Sequence, residues 1–287
     1  MRNIYECHCH IALDGDDFKK AVEKHKNSAD ISNIRAVFET YRSMGVTYIR
    51  DGGDKWGVSL KASEIAQEYG IEYSTPNFPI HKKGNYGGFI GKSFETMADF
   101  RTLVKEVKNS GGDFVKIMAS GIMDFGKFGV LTGWTLEERE LREIVNISHG
   151  EGFPVMAHVN GAEGVKKCVE AGVDSIEHGN YMDEDAVKYL AESSSVWVPT
   201  AAATKGLMGK GIFPEDALSA VFDMQKKYIA LGAEIGVMIA AGSDAGAKCV
   251  LHGEGILCEG EILAQYVSEE SLLTAQEKIR QIFKRQG

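Results

Sequence analysis

Eight short runs of β-type residues alternate with segments of helical periodicity, and this alternation constrains the fold more than any other feature. The runs cover residues 3–10, 46–51, 71–75, 113–118, 153–159, 173–178, 196–200 and 235–244. Strands separated by helices pair in parallel through right-handed crossovers. At 287 residues the pattern predicts an α/β fold, a single-domain (β/α)8 TIM barrel over residues 1–287. A doubly wound open sheet is the alternative, but no glycine-rich phosphate-binding turn follows the first run.

The segments between the runs carry helix start and stop signals. Residues 14–17 are expected to form a polar loop, and a capping box at Thr135 predicts the start of the helix before the fifth run. Pro214 is expected to open the helix before the eighth run and Gly232 to end it. The last helix is expected over residues 269–285.

Composition excludes several classes of function. The net charge is −9 and there is no long basic run, so neither nucleic acid nor an anionic membrane surface is an expected partner. The sequence shows no signal peptide and no membrane-spanning apolar stretch, which predicts a cytoplasmic protein acting on a small-molecule substrate. It allows a homo-oligomer without requiring one. The five cysteines are expected to be reduced, with Cys7 and Cys9 packed in the core.

The first run carries the motif His8-Cys9-His10. Because side chains alternate along a strand, His8 and His10 should share one face with Glu6, and two imidazoles on one face can bind one metal ion. Further candidate ligands lie at the ends of later runs, where the active site of a barrel is found. They are Lys116, His158, His178 and Asp244.

Lys116 decides how many metal ions these residues could hold. Four histidines and one carboxylate are few ligands for two ions, and an ammonium group cannot bind a metal. Reaction of the neutral amine with carbon dioxide gives an anionic carbamate, which can bridge two metals about 3.5–4 Å apart. The sequence therefore allows a centre of two divalent ions, with zinc the expected metal.

Six segments, in order from the first run to beyond the eighth, resemble binuclear-metal members of the amidohydrolase superfamily. The resemblance is greatest to the branch of imidazolonepropionase-like proteins and prolidase-type dipeptidases. The segments are ECHCH, VTYIRDGG, GGDFVKIMASG, VMAHVNGAEGVKKCVEAGVDSIEHGNYMDEDAV, VWVPT and AAGSDAGAKCVLHGEGILCEGEI.

The resemblance implies a role for each candidate ligand. His8, His10 and Asp244 would bind the first metal, His158 and His178 the second, and Lys116 would bridge them as a carbamate. A hydroxide shared by the metals would attack the carbonyl of a C–N amide bond in a dipeptide, an N-acyl amino acid or a cyclic amide, and Asp244 would transfer the proton. The sequence departs from the family at Glu6, where an aspartate is common, and the barrel is expected to lack the accessory β-sandwich of most relatives.

Other interpretations stay open. His158 and His178 could be core histidines, and Asp244 a turn residue. Lys116 could form a Schiff base, as in class I aldolases. A mononuclear deaminase and a non-catalytic metal-binding barrel are further alternatives. His81, Tyr181 and His252 are candidates for substrate contact.

Overall fold

The computed structural model describes residues 4–25 and 27–284, which contain nine strands and eleven α-helices. The strands are β1 (Ile4–Cys9), β2 (Val46–Asp51), β3 (Glu72–Ser74), β4 (Ile80–Lys82), β5 (Lys92–Phe94), β6 (Val115–Met118), β7 (Val155–Val159), β8 (Ser175–His178) and β9 (Val196–Val198). The helices are α1 (Phe18–Lys24), α2 (Ile31–Ser43), α3 (Val58–Ile65), α4 (Met97–Ser110), α5 (Glu138–Gly150), α6 (Ala162–Ala171), α7 (Glu184–Ala191), α8 (Ala201–Leu207), α9 (Glu215–Ile235), α10 (Glu254–Leu263) and α11 (Glu269–Phe283). A 3-10 turn, Ala66–Tyr69, follows α3.

The strands form a parallel barrel of the TIM type, as predicted. They pair in the orders β1-β2-β3 and β5-β4-β6-β7-β8-β9, and every paired neighbour is parallel. Two junctions join these sheets. The amide of Asp113, just before β6, donates to the carbonyl of Thr75, just after β3, at 2.7 Å. On the other side residues 238–245 lie between β9 and β1, where the amide of Cys7 donates to Ala241 O at 3.0 Å.

An apolar cluster and α11 close the amino-terminal end of the barrel. Tyr5, Phe114 and Met156, from the amino-terminal parts of three strands, pack there with Phe283 of α11, and the rings of Phe114 and Phe283 lie 5.1 Å apart edge to face. The main core fills the space between the strands and the outer helices. The carboxyl ends of the strands are therefore the open end of the barrel, where a ligand can enter.

The pairing of β1 with β2 is irregular between Glu6 and Cys9. Glu6 pairs with Ile49 and Cys9 with Asp51, so three steps along β1 match two along β2. The expected alternation is broken as a result, and Cys7 and Cys9 fall in different apolar clusters. The expectation that both share one face, opposite Glu6, His8 and His10, is therefore wrong. All five cysteines are free, and Cys7 and Cys9 are buried as expected.

Several element boundaries differ from the prediction. Helix α9 continues to Ile235, and the predicted eighth strand, residues 235–244, forms only an isolated bridge at Ile239. A second bridge, at Ala245, lies just beyond it. Helices α1 and α8 and the β4–β5 pair were not expected. Helix α5 begins at Glu138 without the predicted capping box at Thr135. Residue 3 of the first run and residue 285 of the last helix lie outside the described residues.

No helix in the described part of the chain is long and apolar enough to cross a membrane.

Candidate metal centre

The six predicted ligands line one cavity of about 320 Å³ at the open end of the barrel. They are His8, His10, Lys116, His158, His178 and Asp244. The Oδ1 atom of Asp244 lies 3.5 Å from Nε2 of His8 and 3.3 Å from Nε2 of His10. These three residues each offer a ligand atom within 4.8 Å of the others. The His178 ring lies 5.1 Å from the His8 ring and 4.6 Å from that of His158, measured between centroids.

Hydrogen bonds fix which ring nitrogen is free on three of the histidines. Nδ1 of His8 donates to Oε2 of Glu177 at 2.7 Å, which leaves Nε2 facing Asp244. The Thr200 hydroxyl donates to the Pro199 carbonyl and therefore accepts from Nδ1 of His178, so Nε2 of His178 carries the lone pair.

The third histidine presents its other nitrogen. Nε2 of His158 donates to the carbonyl of Gly121 at 3.2 Å, which leaves Nδ1 as the free nitrogen. Burial lowers the pKa of His158 to about 3, with the charge of Lys116 adding to the effect. Burial also lowers the pKa of His8 and of His178. The three rings are therefore neutral and each offers one lone pair, which is the form that binds metal.

Three buried polar atoms on the candidate ligands have no hydrogen-bond partner among the described residues. They are Nε2 of His8, Nδ1 of His10 and Nζ of Lys116. A buried polar group without a partner costs about 1–3 kcal/mol, so such groups are rarely left unpaired without a function. Of these, Nε2 of His8 lies 3.5 Å from Oδ1 of Asp244, a position that fits a bound cation, and the donor set of imidazole and carboxylate is the one zinc prefers.

Lys116 is buried in β6 and only 1% exposed. Burial lowers the pKa of its amine to about 8. A larger fraction of the amine is therefore neutral near pH 8 than for an exposed lysine. The neutral amine is the form that reacts with carbon dioxide, so Lys116 fits the carbamate that the sequence suggested.

Glycines make room for the histidine ligands. A Cβ atom on Gly52, just after β2, would lie 2.3 Å from Cε1 of His10, and one on Gly242 would lie 2.7 Å from the backbone nitrogen of His8. Left-handed backbone is concentrated at the same place, at His178 (φ 67°), Thr200 (φ 52°) and Asp244 (φ 60°). Such conformations cost about 1–3 kcal/mol each and cluster at functional sites.

Two buried carboxylates, Glu177 and Glu6, support the ligands, a role that was not predicted for either of them. Glu177 accepts from His8, as described above. Oε1 of Glu6 accepts from the amides of His8 at 3.2 Å and Ser243 at 2.8 Å, so Glu6 joins β1 to the residue before Asp244. Burial raises the pKa of Glu6 to about 8. A charged residue inside an apolar strand run was the available sequence signal for both.

The three residues expected to contact substrate do not line the cavity. His252 is held between the hydroxyl of Tyr41 at 3.0 Å and the carbonyl of Leu13 at 2.8 Å. Nδ1 of His81 lies 2.9 Å from the carbonyl of Lys82. The Tyr181 ring packs edge to face on Phe128. Instead, the side chains that line the cavity beyond the metal centre are mostly apolar, with Asn160, Asn180, Thr204 and Gln225 among the polar ones.

Comparison with known proteins identifies the family of this chain. The Amidohydrolase family model matches residues 6–271. An uncharacterized protein of Mycobacterium tuberculosis is 24% identical over 260 residues, which cover 88% of this chain and 65% of that protein. Ochratoxinase of Aspergillus niger is 26% identical over 286 residues, covering 85% of this chain and 57% of ochratoxinase. The chain thus spans less than two thirds of the length of these relatives.

Solved structures share the fold. A Xaa-Pro dipeptidase with bound methionine in its active site superposes with a TM-score of 0.79, at 22% identity, over 98% of this chain and 75% of that one.

Proposed function

Because the chain belongs to the amidohydrolase family, we propose that it hydrolyses a C–N amide bond with two divalent metal ions. The observation that carries this proposal is the cluster of His8, His10 and Asp244, whose ligand atoms lie within 4.8 Å of one another, in the same cavity as the unpaired buried amine of Lys116. A dipeptide, an N-acyl amino acid and a cyclic amide are the candidate substrates.

The ligands divide into two groups with a shared bridge. His8, His10 and Asp244 would hold one ion, and His158 with His178 the other. Lys116 would bridge the two after its neutral amine adds to carbon dioxide and loses a proton, which gives a carbamate. When bound, the two ions, which we propose to be zinc, supply Lewis-acid polarisation of the scissile carbonyl and activation of a water molecule.

Asp244 would carry out the proton transfer in this reaction. Asp244 lies within 3.5 Å of both His8 and His10 and lines the cavity, so its second carboxylate oxygen can accept a proton from the attacking water. It would then pass that proton to the departing nitrogen. In the balanced reaction an amide and water give a carboxylic acid and an amine.

The proposal is tested by measuring metal content and hydrolysis together. Protein purified without chelator should contain about two divalent ions per chain, and chelation should abolish turnover of a panel of dipeptides, N-acyl amino acids and lactams. His10→Asn should lose bound metal, whereas His25→Asn, at a buried histidine remote from the cavity, should retain it. At most one ion in the wild-type protein would exclude the carbamate-bridged mechanism.

A Schiff-base aldolase is the second candidate, because a buried amine without a partner is also what imine formation requires. Borohydride trapping of a substrate on Lys116, in a protein that is active without metal, would favour it. A mononuclear deaminase would keep its activity in Lys116→Ala. A non-catalytic barrel would bind metal but turn over none of the panel.

A further inference from the structure

An aromatic row extends from the metal centre along the cavity. The Tyr86 ring lies 4.8 Å from the ring of His158, Phe89 lies 5.4 Å from Tyr86, and Phe18 lies 5.5 Å from Phe89, all between centroids. Phe18 and Phe89 are 42% and 39% exposed although they line the cavity. Large apolar side chains left open beside a cavity indicate a surface that a ligand covers.

A second aromatic pair belongs to the same cavity. Phe125, from the loop after β6, and Phe213, from the loop before α9, lie 5.4 Å apart. Ile122 and Ile212 line the cavity beside them. Aromatic rings and branched side chains stabilise a bound ring by burying its surface and by offset or edge-to-face contact.

Beyond the metal centre, the described residues that line the cavity include two charged side chains, Asp16 and Lys248. Nζ of Lys248 donates to the backbone carbonyl of Asp16 and lies 3.6 Å from its Oδ1. Both side chains are at least half exposed, so this pair is solvated. Apart from Lys116 in the metal centre, the described residues that line the cavity therefore supply no unpaired cation. A substrate carboxylate placed in the apolar part of the cavity would lose its water without gaining a partner.

Hydrogen bonds orient a chain of three amides in the cavity wall. Nδ2 of Asn160 donates to the carbonyl of Gly121 at 3.1 Å, so Oδ1 of Asn160 is the acceptor. Asn180 donates to that oxygen from its backbone nitrogen at 3.1 Å and from Nδ2 at 2.9 Å. Nε2 of Gln225 then donates to Oδ1 of Asn180 at 2.8 Å. Because the Gly121 carbonyl can only accept, it sets the orientation of the Asn160 amide, which in turn sets the orientations of the Asn180 and Gln225 amides.

This chain leaves one acceptor unused. Oε1 of Gln225 has no hydrogen-bond partner in residues 4–25 and 27–284, and the side chain is only 6% exposed. Thr204 of α8, which is 1% exposed, also leaves its hydroxyl unpaired and lines the same cavity. An unpaired buried acceptor that lines a cavity is a site for a donor on the ligand.

We propose that the cavity selects neutral amides that carry aromatic groups, and that Gln225 determines specificity by accepting a hydrogen bond from an N–H group of the substrate. This inference rests on the proposed amide hydrolysis and narrows its substrate class. It favours capped or cyclic amides over dipeptides and N-acyl amino acids that keep a free carboxylate.

Three compounds that differ in one group test the proposal. N-benzoylphenylalaninamide is neutral and offers a distal N–H donor, its methyl ester analogue is neutral without that donor, and N-benzoylphenylalanine is anionic. For cleavage of the benzoyl amide we expect kcat/KM to fall about tenfold from carboxamide to ester, and about tenfold again from ester to acid. Equal values for the three, or preference for the acid, would overturn the proposal.

Variants of Gln225 separate the preference for carboxamide over ester from the preference for ester over acid. Gln225→Leu should remove the preference for carboxamide over ester, through KM, and leave the preference for ester over acid. Gln225→Glu, which keeps an acceptor oxygen, serves if the leucine variant fails to fold. Gln276→Leu is the matched control, because Gln276 is 7% exposed, donates to the Tyr5 carbonyl and lies outside the cavity. Loss of both preferences or of neither in Gln225→Leu would contradict the assigned role, and so would loss of the preference for carboxamide over ester in Gln225→Glu.

Lys248→Gln tests whether Lys248 selects substrates by binding their carboxylate. If the lysine captured substrate carboxylates, this variant would lower activity on the acid alone, and we expect no such change. Calorimetric titration of the three compounds into metal-loaded Asp244→Asn measures the same ranking without turnover. If the wild-type protein cleaves no amide, the proposed function fails. The ranking of affinities then still confirms or overturns the assigned selectivity.

Discussion

Glu177 on β8 accepts a hydrogen bond from Nδ1 of His8 on β1 at 2.7 Å, across the interior of the barrel. Nη2 of Arg50 donates to both oxygens of the same carboxylate, at 2.9 and 3.1 Å, and the guanidinium lies 4.5 Å from the centroid of the Phe283 ring. The helix that closes the amino-terminal end of the barrel is thus connected to a candidate metal ligand through two buried charged groups. Partners of this kind orient a ligand and increase its basicity.

Glu177→Gln should weaken metal binding by about 10–100-fold, the usual effect of removing the carboxylate behind a ligating histidine. The glutamine amide cannot accept from both His8 and Arg50 as the carboxylate does. Competition with a chromophoric chelator measures the affinity. Glu277→Gln on α11 is the control, because that carboxylate accepts hydrogen bonds from Tyr5, Arg280 and Gln281 and from no candidate metal ligand. An unchanged affinity in Glu177→Gln would show that the contact does not position His8.

Arg50→Met should destabilise the fold by about 3–5 kcal/mol, because it leaves the Glu177 carboxylate buried without its cation. Urea unfolding of the metal-free protein measures this. The double variant Arg50→Met/Glu177→Leu should recover part of the loss, since apolar side chains can replace a buried pair. Equal instability of the single and double variants would indicate that packing against Phe283, rather than charge, is what Arg50 provides.

Lys116→Ala should reduce the metal content from about two ions per chain to at most one, because the bridge is lost. Wild-type protein incubated with metal and isotopically labelled bicarbonate should give a carbamate carbon resonance that the variant lacks. Lys278, partly buried on α11 and outside the cavity, supplies the control Lys278→Ala, which should keep both the metal and the resonance. A variant that still binds two ions would exclude Lys116 as a bridging ligand.

Asp244→Asn should lower kcat by about 10²–10⁴-fold, the range for loss of a general acid–base group. The amide keeps the size of the side chain, so we expect KM to change much less than kcat. Measuring kcat and KM on the N-benzoyl compounds, together with metal content of the same samples, distinguishes loss of proton transfer from loss of bound metal. A variant with full metal content and normal kcat would remove Asp244 from proton transfer.

The barrel could be predicted because the alternation of strand-like and helix-like segments is visible in the local sequence. The positions where the prediction was wrong also have physical causes. Gly232 was expected to end α9, but it is a buried residue within the helix, where a Cβ would make ordinary van der Waals contact with Ile239 and Val237 at 3.4 Å. Gly236, with φ 88°, is the residue that ends the helix. Sequence alone does not distinguish a glycine inside a helix from one that ends it.

Helix α8 was missed because its amino-terminal capping group comes from far along the chain. The amide of Ala202 donates to Oε2 of Glu259, fifty-seven positions later, at 2.7 Å. Thr200, expected as the last residue of a strand, instead adopts φ 52° and accepts from His178. The candidate ligands could be identified by residue type and position at strand ends. Their partners, such as Glu177 for His8, depend on long-range geometry that no local pattern encodes.

The pair His149–Asp174 should make stability depend on pH in a defined direction. Nε2 of His149 lies 2.8 Å from Oδ2 of Asp174, and this hydrogen bond raises the pKa of the imidazole. Because the folded pKa is raised, the stabilisation is fully present below the unfolded pKa of about 6.5 and is lost as the pH rises through the folded value. The pair is partly exposed, so solvent screening limits the effect to about 0.2–1 kcal/mol.

His149→Gln should therefore destabilise the protein more at about pH 5 than at about pH 9. Urea unfolding of both proteins with chelator present measures the difference and removes the contribution of bound metal. A surface change without a titrating group, Gln265→Ala, should give the same small effect at both pH values. A loss of stability in His149→Gln that is equal at the two pH values, or larger at the higher one, would show that protonation of His149 does not strengthen this contact.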